Sequence, residues 1–497
     1  MGSAVLTNQG QAKTSSAFPL LRAFSLSLFA IVGLLWAYSL GRYPAFYCDD
    51  AYYVYAGLRA YLGGPFAYPI TLTAPYGNLL WAYAGPLFIH LENLLFHLCG
   101  FSILITRLPN FLGGWVAASL IVLWLFRRGY ALGGCLLAIL WCGSRDSLEM
   151  LYGRMDGLAL LLLVLTFLTA EHALRKPSRS VSFYAFLAGV FGGLTILTNP
   201  VCVVAVGGTL LLTIFLRRFK ISAAMAAGLL VSLPLVYPLL DGHLREGYVQ
   251  FEWSRSYLKG TPLSSLLQVI SVLQWSKAWV IALVLLSVLI LAVTGWQILR
   301  RRIALDPEGL QRLLCATFVL GGLPAFIHSG THPYYVIYFS LWPMLWLAMI
   351  VDRNWRRPAV KAIFALMLLA WLPSAAWQAM RLRESIKYHR ALSLDTLQQQ
   401  IAKNVPPDST LVTSPDVYAV PFVTGHPNSH PLPWYEIESE SCPNCYVLLD
   451  REDLDKAPPD PRLGLGNRRV LYSGPAFPKA GPLREPVLLL SPEQPTQ

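Results

Sequence analysis

The chain has 497 residues, of which 55% are hydrophobic and only 13% are charged, and its mean hydropathy is +0.49. This composition is too apolar for a water-soluble protein and indicates one that crosses a membrane many times. The formal net charge of +12 does not indicate a nucleic-acid partner, because in such a protein an excess of Lys and Arg mainly marks the loops that stay in the cytoplasm.

The first long apolar segment runs from Pro19 to Leu40, and its length of about twenty residues is enough to cross a bilayer. It lacks a small-residue cleavage site with a polar region behind it, so we expect an uncleaved span rather than a signal peptide. Lys13 and Arg22 place its start in the cytoplasm. The residues that follow the span are then expected on the outer face.

Two adjacent carboxylates, Asp49 and Asp50, follow this span in the first external loop, which covers about 42–103. They precede a short amphipathic helix whose apolar residues recur at helical spacing from Ala51 to Leu62. One Asp at that point is explained as a helix cap. A second acid so near the hydrocarbon has a desolvation cost that capping does not explain. The pair is therefore a candidate catalytic site, with capping as the alternative.

About ten further apolar segments follow, so about eleven spans are expected in all. Region 73–96 is also apolar, but Pro, Gly and charged residues interrupt it, and we expect interfacial helices there, with a true span as the alternative. The further spans are expected at Leu104–Phe126, Ala131–Ser144, Leu158–Ala170, Phe183–Thr198, Val201–Leu216, Ala223–Leu240, Ala278–Leu299, Leu313–Ile327, Tyr334–Ile350 and Lys361–Trp377.

Basic residues give these spans a direction, since cytoplasmic loops retain Lys and Arg. On this count one side receives the clusters Arg127/Arg128, Arg175/Lys176/Arg179, Arg217/Arg218/Lys220, Arg300/Arg301/Arg302 and Arg353/Arg356/Arg357. The other side receives Asp49/Asp50, the segment Arg145–Asp156, the loop Asp241–Lys277 and the run His328–Tyr335. Polar residues that could do chemistry therefore converge on the outer face.

The segment Arg145–Asp156, RDSLEMLYGRMD, joins two predicted spans whose apolar cores of about fourteen residues are short against the roughly twenty that a span needs. We therefore expect Arg154 and Asp156 to dip toward the bilayer, where ionisable residues are usually functional. A structural ion pair between the two is the alternative.

A third cluster, His328, His332, Tyr334 and Tyr335, lies at the outer end of a later span. Tyrosines are expected at a membrane interface in any case. Two His on either side of a Gly could donate hydrogen bonds to a lipid phosphate, with simple solvation as the alternative.

The composition changes near Met380, which predicts a membrane domain over 1–380 and a small extracytoplasmic α/β domain over 381–497. An amphipathic helix is expected over 381–405. Strands are expected at Thr410–Thr413, Tyr446–Leu449, Arg469–Tyr472 and Val487–Leu490. For Cys442 and Cys445 a local disulfide is favoured over a redox site, because no strand and helix frame the pair.

Three of these features, taken in order, resemble the GT-C membrane glycosyltransferases, in particular the branch with protein O-mannosyltransferases and lipid A aminoarabinose transferases. They are Asp49-Asp50 with its aromatic-rich helix and Gly-Gly-Pro turn, then Arg154-Met155-Asp156, then the run His332–Tyr335 before a span with an internal Pro343. The resemblance covers roughly 20–380. One departure is Thr73-Ala74-Pro75-Tyr76, where the family's basic KPP-like turn would stand, and it leaves the donor and acceptor classes open.

The resemblance implies a GT-C-like fold and a hexosyltransferase or mannosyltransferase-like enzyme of the cell envelope. Such an enzyme moves a sugar from a polyprenyl-phosphate-linked donor to an acceptor hydroxyl on a glycan, lipid or protein. Asp49 would be the base with Asp50 beside it. The donor phosphate and sugar would be bound by Arg154, Asp156, His328, His332, Tyr334 and Tyr335. The sequence shows no nucleotide-binding loop, and a lipid-linked donor needs none.

The sequence leaves three alternatives open. A divalent metal bridging Asp49 and Asp156 is conceivable, although no paired Cys and His pattern indicates one. A transporter or flippase is the rival class, but transporters keep ionisable residues near the midplane and often have related halves, whereas here the charges gather at one face. A non-catalytic scaffold would leave the acids unexplained. We expect a multi-pass protein of the plasma (inner) membrane, with a cytoplasmic N-terminus and membrane lipids as further partners.

Overall fold

A computed structural model of the protein describes residues 17–43, 54, 56–58, 60–63, 66–68, 80–81, 85–175, 180–240, 242–245, 267, 273–300, 306–327, 335–392, 395–413, 429–431, 444–450, 468–475 and 486–493. The predicted site residues outside these ranges are Asp49, Asp50, His328, His332 and Tyr334.

Helices dominate the described residues. In chain order they are α1 Ala17–Ser39, α2 Pro86–Cys99, α3 Ile103–Arg127, α4 Ala131–Cys142, α5 Asp146–Glu149, α6 Asp156–Arg175, α7 Val181–Thr198, α8 Val203–Phe215, α9 Phe219–Ser232, α10 Val236–Leu239, α11 Lys277–Leu299, α12 Pro307–Ile327, α13 Val336–Asn354, α14 Pro358–Lys387 and α15 Asp395–Asn404. The strands are β1 Ala67–Tyr68, β2 Leu80–Trp81, β3 Leu411–Thr413, β4 Ser429–Pro431, β5 Tyr446–Asp450, β6 Arg468–Pro475 and β7 Pro486–Glu493.

The predicted membrane spans coincide with helices. In the described part of the chain, 8 helices are long and apolar enough to cross a membrane, and two shorter helical stretches, Ala131–Cys142 and Pro200–Phe215, are also apolar. The remaining predicted span overlaps α12, which has 21 residues. The expectation of a polytopic α-helical membrane protein is therefore confirmed. In region 73–96 the helix α2 has 14 residues, shorter than a span needs.

Helix α6 is longer than predicted. It runs for 20 residues from Asp156 to Arg175, so the expectation of a short span is wrong for this helix. The reason is that its polar end is covered by protein rather than lipid: Glu171 is only 3% exposed and lies among polar partners. A helix can continue through a charged residue when that residue is paired and buried between neighbours.

Those partners form the Glu171 network, which consists of Glu171, Arg128, Gln311, Tyr130 and Arg353. Arg128 forms an ion pair with Glu171, and Gln311 Nε2 donates to Glu171 Oε1 at 2.8 Å. Tyr130 donates to Gln311 Oε1 at 3.2 Å, and the Arg353 guanidinium lies 4.8 Å from the centre of the Tyr130 ring. The network joins the C-terminal ends of α3, α6 and α13 to the start of α12.

Between its two ends α6 is held by aromatic packing. Phe167 lies 5.4 Å, between ring centres, from both Phe318 of α12 and Trp342 of α13, and these two rings are 4.4 Å apart. All three side chains are fully buried. Aromatic groups in such offset and tilted contact add to the energy of burial, so α6, α12 and α13 form one packed unit.

The C-terminal part of the chain is a small α/β unit, as predicted. Its sheet has the strand order β4-β3-β5-β7-β6, with β3 parallel to β4 and β5, and β7 antiparallel to β5 and β6. Leu397 and Ile401 of α15 are fully buried and belong to the same core as Leu411 and Leu448 of the strands. Strand β4 was not among the predicted strands, since its three residues carry no alternation signal.

The transition into this unit differs from expectation. Helix α14 continues to Lys387, so the predicted boundary near Met380 lies inside a helix, and the expected helix over 381–405 is the end of α14 followed by the separate helix α15. Ser385 of α14 lies 2.9 Å, Oγ to Oγ, from Ser39 of α1. Cys445 is disulfide-bonded, and its predicted partner Cys442 lies outside the described residues.

Candidate functional site

The segment that leads into α6 is fixed by one amide, that of Asn110 of α3. Its Nδ2 donates to the backbone oxygens of Glu149 at 3.0 Å and Tyr152 at 2.8 Å. Its Oδ1 accepts from the backbone N–H of Gly157. One buried side chain therefore satisfies backbone groups at the end of α5, in the turn after it and in the first turn of α6, which holds the connection between the two helices in one conformation.

The first turn of α6 lies directly against α3. A Cβ on Gly157 would overlap the backbone oxygen of Asn110, and a Cβ on Gly113 would stand 2.5 Å from the Gly157 carbonyl. Glycine is required at both positions because the two backbones touch. This contact fixes where Asp156, the first residue of α6, is placed.

Asp156 is the centre of the Asp156 network, which consists of Asp156, Arg154, Tyr338 and Asn199. Arg154 Nε donates to Asp156 Oδ2 at 2.6 Å, and the Tyr338 hydroxyl donates to Oδ1 at 2.6 Å. Asn199 Nδ2 reaches Oδ1 at 3.4 Å. All four residues are at most 1% exposed. The carboxylate also stands at a helix start, where the free N–H groups favour negative charge.

Asn199 connects the network to a further helix. It follows the last residue of α7, donates through Nδ2 to the Tyr338 oxygen at 2.8 Å, and accepts from the backbone N–H of Val201 at 3.1 Å. The start of α6, the end of α7 and the start of α13 are thus joined around one carboxylate. The Asp156 network occupies the opposite end of α6 from the Glu171 network.

Sequence reasoning missed Asn199 and Tyr338. Asn199 stands between two predicted spans, Phe183–Thr198 and Val201–Leu216, and a polar side chain at such a place is a signal that was available. Tyr338 lies one helical turn from Tyr335, with the two ring centres 6.1 Å apart. Because its neighbours in the sequence are also aromatic, it resembles an ordinary residue of the aromatic belt at a membrane interface, and the sequence did not indicate its role.

The helix of the first loop reaches the same region. Ala56, which is 2% exposed, packs in one apolar cluster with Phe88 and Ile89 of α2 and with Met155. Asn93 Nδ2 donates to the backbone oxygen of Gly57 at 3.1 Å. Ala56 of the first loop therefore belongs to the same apolar cluster as Met155, the residue between Arg154 and Asp156.

The predicted site residues divide into two groups. Arg154 and Asp156 are paired with each other, as the structural alternative expected, and Tyr335 lies beside the Asp156 network. Asp49, Asp50 and the other members of the third cluster lie outside the described residues. Within the described ranges, no group of three or more His, Cys, Asp and Glu side chains could hold a metal ion, and both Asp156 oxygens accept hydrogen bonds from protein donors.

A second buried carboxylate lies in the same segment and was not singled out from the sequence. Asp146 is 1% exposed and faces the hydroxyls of Ser340 and Ser144. Burial raises the pKa of this carboxyl to about 6, against the smaller opposing effect of those hydroxyls. Its neighbour Arg145 pairs instead with Glu149, Nε to Oε1, at 2.6 Å.

The fold of the chain is similar to those of two solved membrane enzymes. The chain is similar to ArnT from Cupriavidus metallidurans bound to undecaprenyl phosphate, with a TM-score of 0.58, 12% identity, and coverage of 94% of this chain and 98% of that one. It is also similar to the apo oligosaccharyltransferase of Archaeoglobus fulgidus, with a TM-score of 0.51, 14% identity, and coverage of 86% and 70%.

No family model matches the sequence, and no curated protein matches it. The structural likeness nevertheless extends over nearly the whole chain, so the protein has the GT-C fold of membrane glycosyltransferases. The resemblance drawn from three short motifs is thereby confirmed at the level of the fold.

Proposed function

We propose that this protein is an integral-membrane glycosyltransferase that moves a sugar from a polyprenyl-phosphate-linked donor to an acceptor hydroxyl on the outer face of the membrane. The observation that carries the proposal is the fold shared over 94% of the chain with an ArnT bound to undecaprenyl phosphate. The acceptor hydroxyl belongs to a glycan, a lipid or a protein, and a mannosyl-type hexose is the first donor to test.

The reaction proposed is a single inverting displacement. Asp49 takes the proton of the acceptor hydroxyl, the acceptor oxygen attacks the anomeric carbon, and the bond from that carbon to the phosphate oxygen breaks. Asp50 orients Asp49 or the acceptor. A retaining mechanism needs two carboxylates on opposite faces of the sugar, which adjacent residues on one segment do not readily supply.

Arg154 is the proposed cation for the departing phosphate. Asp156 fixes the guanidinium through Nε, and Tyr338 and Asn199 fix Asp156 in turn, so the positive charge is oriented before any substrate binds. A charge held in place in a water-poor site stabilises a transition state far better than a mobile one. Tyr335, with His328, His332 and Tyr334 before it, is proposed to contact the donor.

The orientation in the membrane is part of the proposal. Disulfides persist outside the cytoplasm, and the disulfide at Cys445 supports an outer C-terminal domain. The N-terminus would then be cytoplasmic and the acidic pair external, in the inner membrane. A divalent metal held by Asp49 and Asp156 stays a prediction, and treating the protein with a chelator before the nanodisc assay tests it.

The test uses purified full-length protein in lipid nanodiscs with a panel of radiolabelled polyprenyl-phosphate sugars. We expect the wild type to transfer or slowly hydrolyse one of these donors. Asp49→Asn should abolish release of the sugar without loss of donor binding, because the base does not touch the lipid phosphate. Asp408→Asn, an exposed acid of the C-terminal region, is the matched control and should leave the rate unchanged.

Three outcomes would contradict the proposal in different ways. Full activity of Asp49→Asn would remove the assignment of the base but keep the enzyme. No binding or consumption of any lipid-linked sugar would remove the transferase itself. With the protein in sealed vesicles of the same lipid, movement of an unaltered lipid-linked sugar from one leaflet to the other would favour the flippase.

A further inference from the structure

The turn between α8 and α9 carries an unusual residue. Arg217 has a φ of +55°, in the left-handed region that glycine normally occupies at the end of a helix. The Arg217 N–H donates to the Ile214 oxygen at 2.8 Å and the Arg218 N–H to the Thr213 oxygen at 2.9 Å. This is the hydrogen-bonding pattern of a Schellman cap. A long basic side chain is thus held at a position where it costs conformational energy.

The strained arginine lines a cavity. Leu216, Arg217 and Arg218 form one wall, and Leu310, in the first turn of α12, forms the other. The cavity has a volume of about 260 Å³. It lies at the end of α8 remote from Asn199, and therefore at the opposite end of the helices from the Asp156 network.

The cavity is positively charged. Within the described residues no acidic side chain pairs with either guanidinium, although two acids lie close by in sequence to Leu310. Asp306 accepts from the Gly309 N–H at 2.7 Å and so caps α12. Glu308 pairs with Arg353, Oε1 to Nη2, at 2.9 Å. Both acids are engaged elsewhere, and the two arginines therefore give the cavity lining its positive charge.

The surface beside the cavity is strongly apolar. Leu211, Phe215 and Phe219 of α8 and α9 are 64–65% exposed. In a helix of a membrane protein such side chains face hydrocarbon. These exposed apolar side chains flank the two arginines in the chain, so an occupant that uses both features must join an anionic group to apolar chains.

We propose that this cavity binds the phosphate group of one anionic phospholipid, with its acyl chains along Leu211, Phe215 and Phe219, in the leaflet opposite to the Asp156 network. Basic pockets between membrane helices are known to select anionic head groups, and each cation near the surface contributes to that attraction. A free phosphate would use the guanidinium groups but not the apolar wall. The site is independent of the proposed transferase reaction.

The test is native mass spectrometry of the full chain in detergent with added cardiolipin or phosphatidylglycerol, and with phosphatidylethanolamine as the zwitterionic reference. We expect the wild type to retain an anionic lipid. The double variant Arg217→Gly/Arg218→Gln should bind it roughly tenfold more weakly or worse. Glycine is favoured at this φ, so the variant should fold at least as well as the wild type, which a thermal melt verifies.

Arg356→Gln is the matched control, because Arg356 is an exposed cation of the α13–α14 turn that does not line the cavity. It should leave lipid retention unchanged. An equal loss in Arg356→Gln would mean that general surface charge attracts the lipid. Equal retention of phosphatidylethanolamine, or displacement of the lipid by millimolar inorganic phosphate, would also overturn the proposal, the latter in favour of a free-phosphate site.

Discussion

Helix α6 has a buried carboxylate at each end, and the two are treated differently. Asp156 accepts bonds from an arginine, a tyrosine and an amide, all of which reach it directly. Glu171 has the same three kinds of neighbour, but Tyr130 reaches it only through Gln311. The arginine at Glu171 comes from another helix and its side chain is 20% exposed, whereas that of Arg154 is 2% exposed.

The difference indicates two purposes. The Glu171 network links four helices and places its arginine partly in water, so its energetic cost is moderate. The Asp156 network buries a whole ion pair, and apolar residues of similar volume would often be as stable or more stable there. On the proposed function a fixed, buried guanidinium would hold the departing phosphate, so we predict a functional role for Arg154 and a structural role for Arg128.

The difference in role between Arg154 and Arg128 is tested most directly by neutralising each arginine in turn. We expect Arg154→Gln to lower the transfer rate roughly 10²–10³-fold, as loss of a transition-state donor does. Arg128→Gln should lower the melting temperature with little effect on the rate per folded molecule. Both are measured with the nanodisc assay. Arg154→Lys keeps the positive charge and is the control for loss of activity through misfolding. A normal rate in Arg154→Gln would contradict a role of Arg154 in binding the phosphate.

A second test concerns pH. The Asp146 carboxyl has its pKa raised to about 6 from 3.8, so the folded state holds a proton that the unfolded state releases. The free energy of unfolding should therefore fall as the pH rises from about 4 to about 6, by roughly 3 kcal/mol at most. Asp146→Asn should flatten this dependence, as measured by melts at several pH values. An unchanged slope in Asp146→Asn would assign the effect to another group.

The smallest expected effect concerns the contact that positions Asp156. Gly157→Ala forces a methyl group into the Asn110 backbone and should cost roughly 1–3 kcal/mol. Gly207 of α8 has open space around it, so Gly207→Ala is the matched control and should be neutral or slightly stabilising. Chemical denaturation measures both. Equal behaviour of the two variants would mean that the start of α6 can move away from α3.

The sequence was informative about features that depend on neighbours in the chain. Span positions follow from runs of apolar residues, and the Arg154–Asp156 pair follows from residues two positions apart. It was uninformative where partners are remote: Asp156 and Tyr338 are 182 residues apart, and Glu171 and Gln311 are 140 apart. The length of α6 was missed for that reason, because a charged residue inside a span is stable only with a partner that the local sequence does not contain.

Helix α14 has one more consequence. It has 30 residues, and at 1.5 Å per residue it is about 45 Å long, whereas the hydrocarbon layer is about 30 Å thick. We therefore predict that about a third of its length projects beyond the hydrocarbon layer. Arg42, just beyond α1, contacts the residues that follow the end of α14: its guanidinium donates to the backbone oxygen of His389 at 3.0 Å. We therefore predict that α14 holds the five-stranded sheet at a set height above the bilayer, so that a molecule contacting both the sheet and the lipid would have to span that gap.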